Sequence, residues 1–158
     1  MEIESEPGRG TTFVIRLPIQ PAATTASMPV VAPDFLTRKL RVLVVDDAPL
    51  VRAITEEFLT SDGHTVEAVA TGAIALARLA DGGFDVVITD KAMPDMNGEQ
   101  LAVAIHRSAS GVPVILMTGF GDIMKAAGEM PPHVRAILSK PFTTSTLRTA
   151  LAKVLPLQ

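Results

Sequence analysis

The chain has 158 residues, of which 47% are apolar, with a formal net charge of −3 and no cysteine. That length suits about one domain with a real core. The mild negative charge gives no footprint for nucleic acid or an anionic membrane, and the missing cysteines exclude disulfides, thiolate metal sites and cysteine nucleophiles. No apolar run approaches the roughly 18 residues of a membrane span. The acidic start, Met1 to Glu6, lacks the apolar stretch of a signal peptide. These features predict a soluble cytoplasmic protein without membrane contact.

Residues 1–19 hold one strand-like run, Thr11 to Leu17, ended by Pro18. Residues 20–39 are rich in Pro, Ala and Thr and read as a linker. From Leu40 onward, apolar runs alternate with helical patterns. Arg41–Val45 is a β-branched, buried-strand run. A helix is predicted over 49–61, with Pro49 in its first turn and Val51, Ile54 and Phe58 on one face. Residues 64–69 form a weaker strand. Thr71 caps a helix over 72–80, which Asp81-Gly82-Gly83 ends.

Asp85–Thr89 is the next strand, and Asn97 caps a helix over 98–108. Pro113–Met117 and Val134–Leu138 are two more strands, with a short, poorly marked helix over 121–128 between them. Gly119, Gly121, Gly128 and Met130-Pro131-Pro132 interrupt that stretch. Thr143 or Thr144 caps a last helix carrying Leu147, Leu151 and Val154.

Strands that are apolar throughout need cover on both faces, as in a parallel sheet between helix layers. Five such units predict an α/β, doubly wound domain, and ligands of such sheets sit beyond the carboxyl ends of the strands. Polar residues gather at those ends: Asp46-Asp47, Asp90, Thr118-Gly119 and Ser139-Lys140-Pro141. Adjacent strands lie only ~5 Å apart, so these side chains can meet. Three close carboxylates repel and call for a hard divalent cation. Mg²⁺ suits them because it takes one or two carboxylates and completes its shell with waters and phosphate oxygens. With the metal and Lys140 neutralising phosphoryl charge and Thr118 donating a hydroxyl, a carboxylate becomes a nucleophile toward phosphorus.

Each residue has an ordinary reading when taken singly. An Asp after a strand can be a helix cap, Thr118-Gly119 a strand exit and Lys140 a surface lysine. Their convergence on one rim is what carries the functional reading. Met93 and Met96 read as packing residues, and His64, His106 and His133 are scattered and not assigned as phosphodonors or metal ligands.

Asp46-Asp47, Asp90 with Met93-Pro94-Asp95-Met96-Asn97-Gly98, Thr118-Gly119 and Lys140-Pro141-Phe142 together resemble the response-regulator receiver family, over about residues 40–156. The resemblance implies a flavodoxin-like five-stranded parallel sheet of order 2-1-3-4-5 with about five helices. It makes Asp90 the phosphoacceptor, and Thr118 and Lys140 the residues that bind the phosphoryl group and signal its presence. It gives Mg²⁺ the ligands Asp47, Asp90 and the Ala92 carbonyl, with Asp46 acting mainly through water. It also implies a cis Lys140–Pro141 bond. The expected partners are a histidine kinase domain and a histidine-phosphotransfer protein. A dimer would use the fourth helix and fifth strand or the N-terminal strand. The chain departs from the family at Ile137, where receivers often carry a switch aromatic.

The segment Glu4 to Pro18, with Gly8-Arg9-Gly10-Thr11 leading into a strand that ends in Leu17-Pro18, resembles the tail of a histidine-kinase ATP-binding domain. It matches neither a Rossmann nor a Walker glycine pattern. This resemblance implies three zones: residues 1–19 as the last strand of that domain, 20–39 as a linker and 40–158 as the receiver of a hybrid histidine kinase. A kinase active site is not contained here, so the fragment would catalyse at most its own phosphorylation and dephosphorylation. The detached strand has three possible fates: disorder, pairing with the receiver sheet or pairing with another chain. The alternative is a free-standing response regulator acting by protein contact. A dehalogenase-type phosphatase would want Asp-x-Asp after the first strand, and a flavin protein would not place Asp46-Asp47 against a phosphate.

Overall fold

The computed structural model describes residues 2–6, 8, 10–14, 38–108 and 111–155. The chain divides into two compact units, Met1–Pro33 and Asp34–Gln158.

In the first unit, β1 (Glu2–Glu6) pairs antiparallel with β2 (Gly10–Val14), Glu4 opposite Thr12. The sequence indicates a single strand here and leaves its partner open; the observed partner is a second strand that was not predicted. The acidic leader is itself a strand, and the turn is made where Gly8 and Gly10 take positive φ, a conformation open to glycine. The predicted strand residues Ile15 to Leu17 and the linker, apart from residues 38–39, lie outside the described residues.

In the second unit the order is β3 (Arg41–Val45), α1 (Pro49–Ser61), β4 (Thr65–Val69), α2 (Gly72–Ala80), β5 (Val86–Asp90), α3 (Gly98–Arg107), β6 (Val114–Thr118), α4 (Gly121–Ala126), β7 (Val134–Ser139) and α5 (Thr144–Val154). The strands form one parallel sheet of order β4-β3-β5-β6-β7. Within this unit that is the predicted 2-1-3-4-5 arrangement.

Strand periodicity splits the core in two. Leu43, Val45, Val87, Leu116 and Ile137 pack with Leu79, Leu101, Ile105 and Met124, the side of α2, α3 and α4. Val42, Val44, Ile88, Ile115 and Leu138 pack with Leu59, Leu147 and Leu151, the side of α1 and α5. Successive residues of a strand point to opposite faces, so unbroken apolar runs supply both layers.

Local chemistry sets the helix starts. The Thr71 hydroxyl accepts from the Ile74 N–H. Asn97 and Gln100 form a reciprocal capping box, as do Thr143 and Thr146. α1 differs from expectation: its buried residues are Thr55 and Leu59, while Ile54 is exposed. Thr55 is satisfied inside the core because its hydroxyl donates to the Val51 carbonyl at 2.7 Å. Phe58 is half-buried and meets Phe142 edge-on at 6.4 Å. The end of α1 is tied to α5 by Arg148, whose Nε and a terminal nitrogen both donate to Asp62. Among the described residues no helix is long and apolar enough to cross a membrane.

Candidate functional site

The carboxyl ends of β3, β5, β6 and β7 bring Asp46, Asp90, Thr118 and Lys140 to one rim. Asp46 and Asp90 are only 1% and 8% exposed. Lys140 Nζ lies between them, 2.9 Å from Asp46 Oδ2 and 2.6 Å from Asp90 Oδ1. Burial works against the Lys140 charge, but hydrogen bonds to Asp90 and then Asp46 outweigh it and hold its pKa above the ordinary lysine value. The ammonium is therefore a fixed positive charge between two nearly buried carboxylates.

Backbone donors orient both carboxylates. Asp46 Oδ1 accepts from the Ala48 N–H at 2.9 Å, and Asp90 Oδ2 accepts from the Ala92 N–H at 2.7 Å. The Asp46 carbonyl accepts from Arg52 in the first turns of α1. The loop after Asp90 is closed by glycine. A Cβ on Gly98 would stand 2.3 Å from the Asp90 carbonyl oxygen and 2.6 Å from Leu116 Cδ1. Asp95 sits in that loop at φ 63°. Met93 is buried and Met96 packs, partly buried, against the same core cluster, as expected of both.

Thr118 is buried, and its Oγ1 accepts from the Phe120 N–H at 3.2 Å. Lys140 N–H donates to the Thr118 carbonyl at 2.8 Å, which fixes the ends of β6 and β7 together. The Lys140–Pro141 bond is cis. Ile137 is 7% exposed and belongs to the core beside Met124. Asp47 and Ala92 are exposed.

Among the described residues no three His, Cys, Asp or Glu side chains are gathered as a metal cage. The donor chemistry nonetheless fits a hard cation. Asp46 and Asp90 share the one Lys140 ammonium, so one formal negative charge remains unmatched within that set, and the exposed Asp47 follows Asp46 directly in the chain. Oxygen-only donors and a partly open shell suit Mg²⁺ better than a transition metal.

Sequence reasoning did not anticipate that Asp46 bonds Lys140 directly. It also missed Arg52 on the Asp46 carbonyl and the bond from Ser139 Oγ to Asp122 Oδ1 at 2.6 Å. The histidines fall away from the rim residues' hydrogen-bond network. His64 is buried and accepts at Nδ1 from the Leu40 N–H, and His106 and His133 stack on one another at 3.8 Å.

Residues 42–152 match the response regulator receiver domain family, and the chain belongs to it. The sensor protein EvgS of Escherichia coli is 30% identical over 156 residues, covering 98% of this chain but only 13% of its own length. The chemotaxis response regulator CheY4 of Vibrio cholerae superposes with a TM-score of 0.63 at 31% identity, over 75% of this chain and all of that one. The receiver domain of the sensor histidine kinase PA1611 of Pseudomonas aeruginosa, solved with a magnesium ion in its active-site cleft, gives 0.63 at 25% identity, over 74% of this chain and 98% of that one. The fold is thus the CheY-like flavodoxin fold, and the chain is a receiver of two-component signal transduction.

Proposed function

We propose that this receiver takes a phosphoryl group from a phosphohistidine onto Asp90, with Mg²⁺, as part of a hybrid histidine kinase phosphorelay. The observation that carries this reading is the Lys140 ammonium held between Asp46 and Asp90 at 2.9 and 2.6 Å. In the transfer, the phosphorus–nitrogen bond to the donor imidazole breaks as a phosphorus–oxygen bond to an Asp90 carboxylate oxygen forms. The imidazole nitrogen keeps the bonding pair. Mg²⁺ would be held by Asp47, Asp90 and the Ala92 carbonyl, with Asp46 acting through water, and would neutralise charge on the phosphoryl oxygens. The magnesium-bearing PA1611 receiver supports this assignment.

The chain's own groups do the rest. The Ala92 N–H holds Asp90 Oδ2 in place. Lys140 exchanges a carboxylate oxygen for a phosphoryl oxygen without leaving the rim, and the Thr118 hydroxyl donates to another phosphoryl oxygen. Placing preset charge where phosphoryl charge develops is the main lever in such transfers.

The hybrid-kinase setting is supported by the EvgS match, which runs through 98% of this chain and so includes residues before the receiver. On that reading residues 1–19 end an ATP-binding domain, 20–39 are the linker, and a histidine-phosphotransfer protein takes the phosphoryl group next. The full coverage of the separate chain CheY4 favours the second reading, a free-standing regulator acting by contact.

Intact-mass measurement after incubation with Mg²⁺ and a small phosphodonor tests the chemistry. One phosphoryl group should be gained by the wild-type chain and none by Asp90→Asn. Labelling that persists in Asp90→Asn would refute the assignment. Phosphoryl passage to a histidine-phosphotransfer protein separates the relay from the free-standing reading.

A further inference from the structure

α4 is a six-residue helix, too short to be stable by its own hydrogen bonds. Met124 anchors it in the core, and three further contacts bear on its position, each made by a residue at or beside one of the proposed chemical residues. Thr118 Oγ1 accepts from the Phe120 N–H at 3.2 Å. Lys91, next to Asp90, places Nζ 3.6 Å from Met124 Sδ. Ser139, next to Lys140, donates from Oγ to Asp122 Oδ1 at 2.6 Å. The backbone sits directly against Ser139 as well. A Cβ on Gly121 would lie 2.5 Å from Ser139 Oγ and 2.9 Å from its Cα. The outer surface of this segment carries Phe120 and Ile123, 68% and 69% exposed.

We infer that the Ser139–Asp122 hydrogen bond is a latch that holds α4 in its unphosphorylated position and is released when Asp90 is occupied. This rests on the phosphoacceptor reading of Asp90. Occupancy turns Lys140 and Thr118 toward the phosphoryl oxygens. Thr118 then draws away from the Phe120 N–H, and the β7 end carrying Ser139 follows Lys140. With Gly121 packed on Ser139, the first turn of α4 cannot shift while the latch is closed. Release moves Phe120 and Ile123 together, which gives the chain a readout that needs no aromatic at position 137. Ile137 stays in the core.

The latch and the site are two ends of one equilibrium, so opening one must favour the other by the same factor in equilibrium binding. The test is calorimetric titration of Mg²⁺ with beryllofluoride, a phosphoryl mimic. Wild-type chain should bind and Asp90→Asn should not. Ser139→Ala and Asp122→Ala should each bind about five-fold tighter or more, and the double variant no tighter than the tighter single one. Ser139→Thr, which keeps the hydroxyl, should match wild type. Asp122 is exposed, so its truncation leaves the core intact and serves as the control for misfolding. In amide exchange, residues 121–126 of unliganded Asp122→Ala should match liganded wild type.

Unchanged or weaker binding by Asp122→Ala, or additive gains in the double variant, would overturn the latch while leaving the phosphoacceptor reading intact. Absence of binding by wild type would overturn the reading beneath it.

Discussion

Lys140 and Asp46 are 94 positions apart in sequence, yet Nζ and Oδ2 stand 2.9 Å apart, with Asp90 Oδ1 on the other side of the same ammonium at 2.6 Å. The lysine is an internal counter-ion. Its charge offsets part of the carboxylate charge that would draw an external cation.

Lys140→Met should expose that competition. Removing one member of a buried ion set leaves the others uncompensated. Because Lys140 is partly exposed, the loss of stability should be on the order of 2 kcal/mol, below the range for fully buried pairs. Mg²⁺ should restore more stability to the variant than it adds to wild type, and should bind the variant more tightly. Thermal melts with and without Mg²⁺ check the first effect, and calorimetry the second.

Gly98→Ala and Gly72→Ala should separate by what their new methyl groups meet. At Gly98 the Cβ would stand 2.3 Å from the Asp90 carbonyl oxygen, a backbone atom. At Gly72 it would stand 2.8 Å from Met96 Sδ, the far part of a flexible side chain. Urea denaturation should give a loss of about 1–3 kcal/mol for Gly98→Ala and a much smaller change for Gly72→Ala. Phosphoryl labelling should slow only in Gly98→Ala, because only there does the backbone of Asp90 move.

Acid should weaken the fold through His64. Burial lowers its pKa below the ordinary 6.5, an effect that Asp62 opposes and Arg148 reinforces. Neutral imidazole is the form the fold accepts, since Nδ1 receives the Leu40 N–H. Its stabilising contribution is therefore full above about pH 6.5 and is lost as pH falls from there to the lowered folded-state value. His64→Asn, which offers an acceptor near the Nδ1 position, should flatten this part of the profile. Stability measured by denaturant at stepped pH reads the difference.

Ile137 should behave as core, not as a switch. Ile137→Val should cost about 0.5–1.5 kcal/mol in a denaturant titration and leave the extent of phosphoryl labelling unchanged.

The receiver part of the chain was legible because its chemistry is local. Arg41–Val45 and Val114–Thr118 announce themselves by unbroken apolar runs, and Thr71, Asn97 and Thr143 by capping chemistry. The polar strand ends were legible for the same reason, since the parallel sheet fixes where they gather. Contacts between distant side chains were not. Nothing near Ser139 in sequence indicates Asp122, and the gathering of strand ends at one rim does not by itself say that Asp46 bonds Lys140 directly. β1 was missed because Glu2–Glu6 carries three glutamates and a serine about one isoleucine and shows no apolar period. The helical face of α1 was misplaced because Thr55, polar by type, is satisfied within its own helix and takes the buried position predicted for Ile54.

The two-faced burial of the central strands has a consequence for how such a domain can diversify. β5 and β6 are buried along their full length, so a polar substitution on either side of them meets a packed layer. A new partner preference can therefore be written only on the outer helix surfaces and the loops of the rim. Changes in whom the domain talks to are free to accumulate there, while the polar rim stays anchored to a scaffold that tolerates almost none.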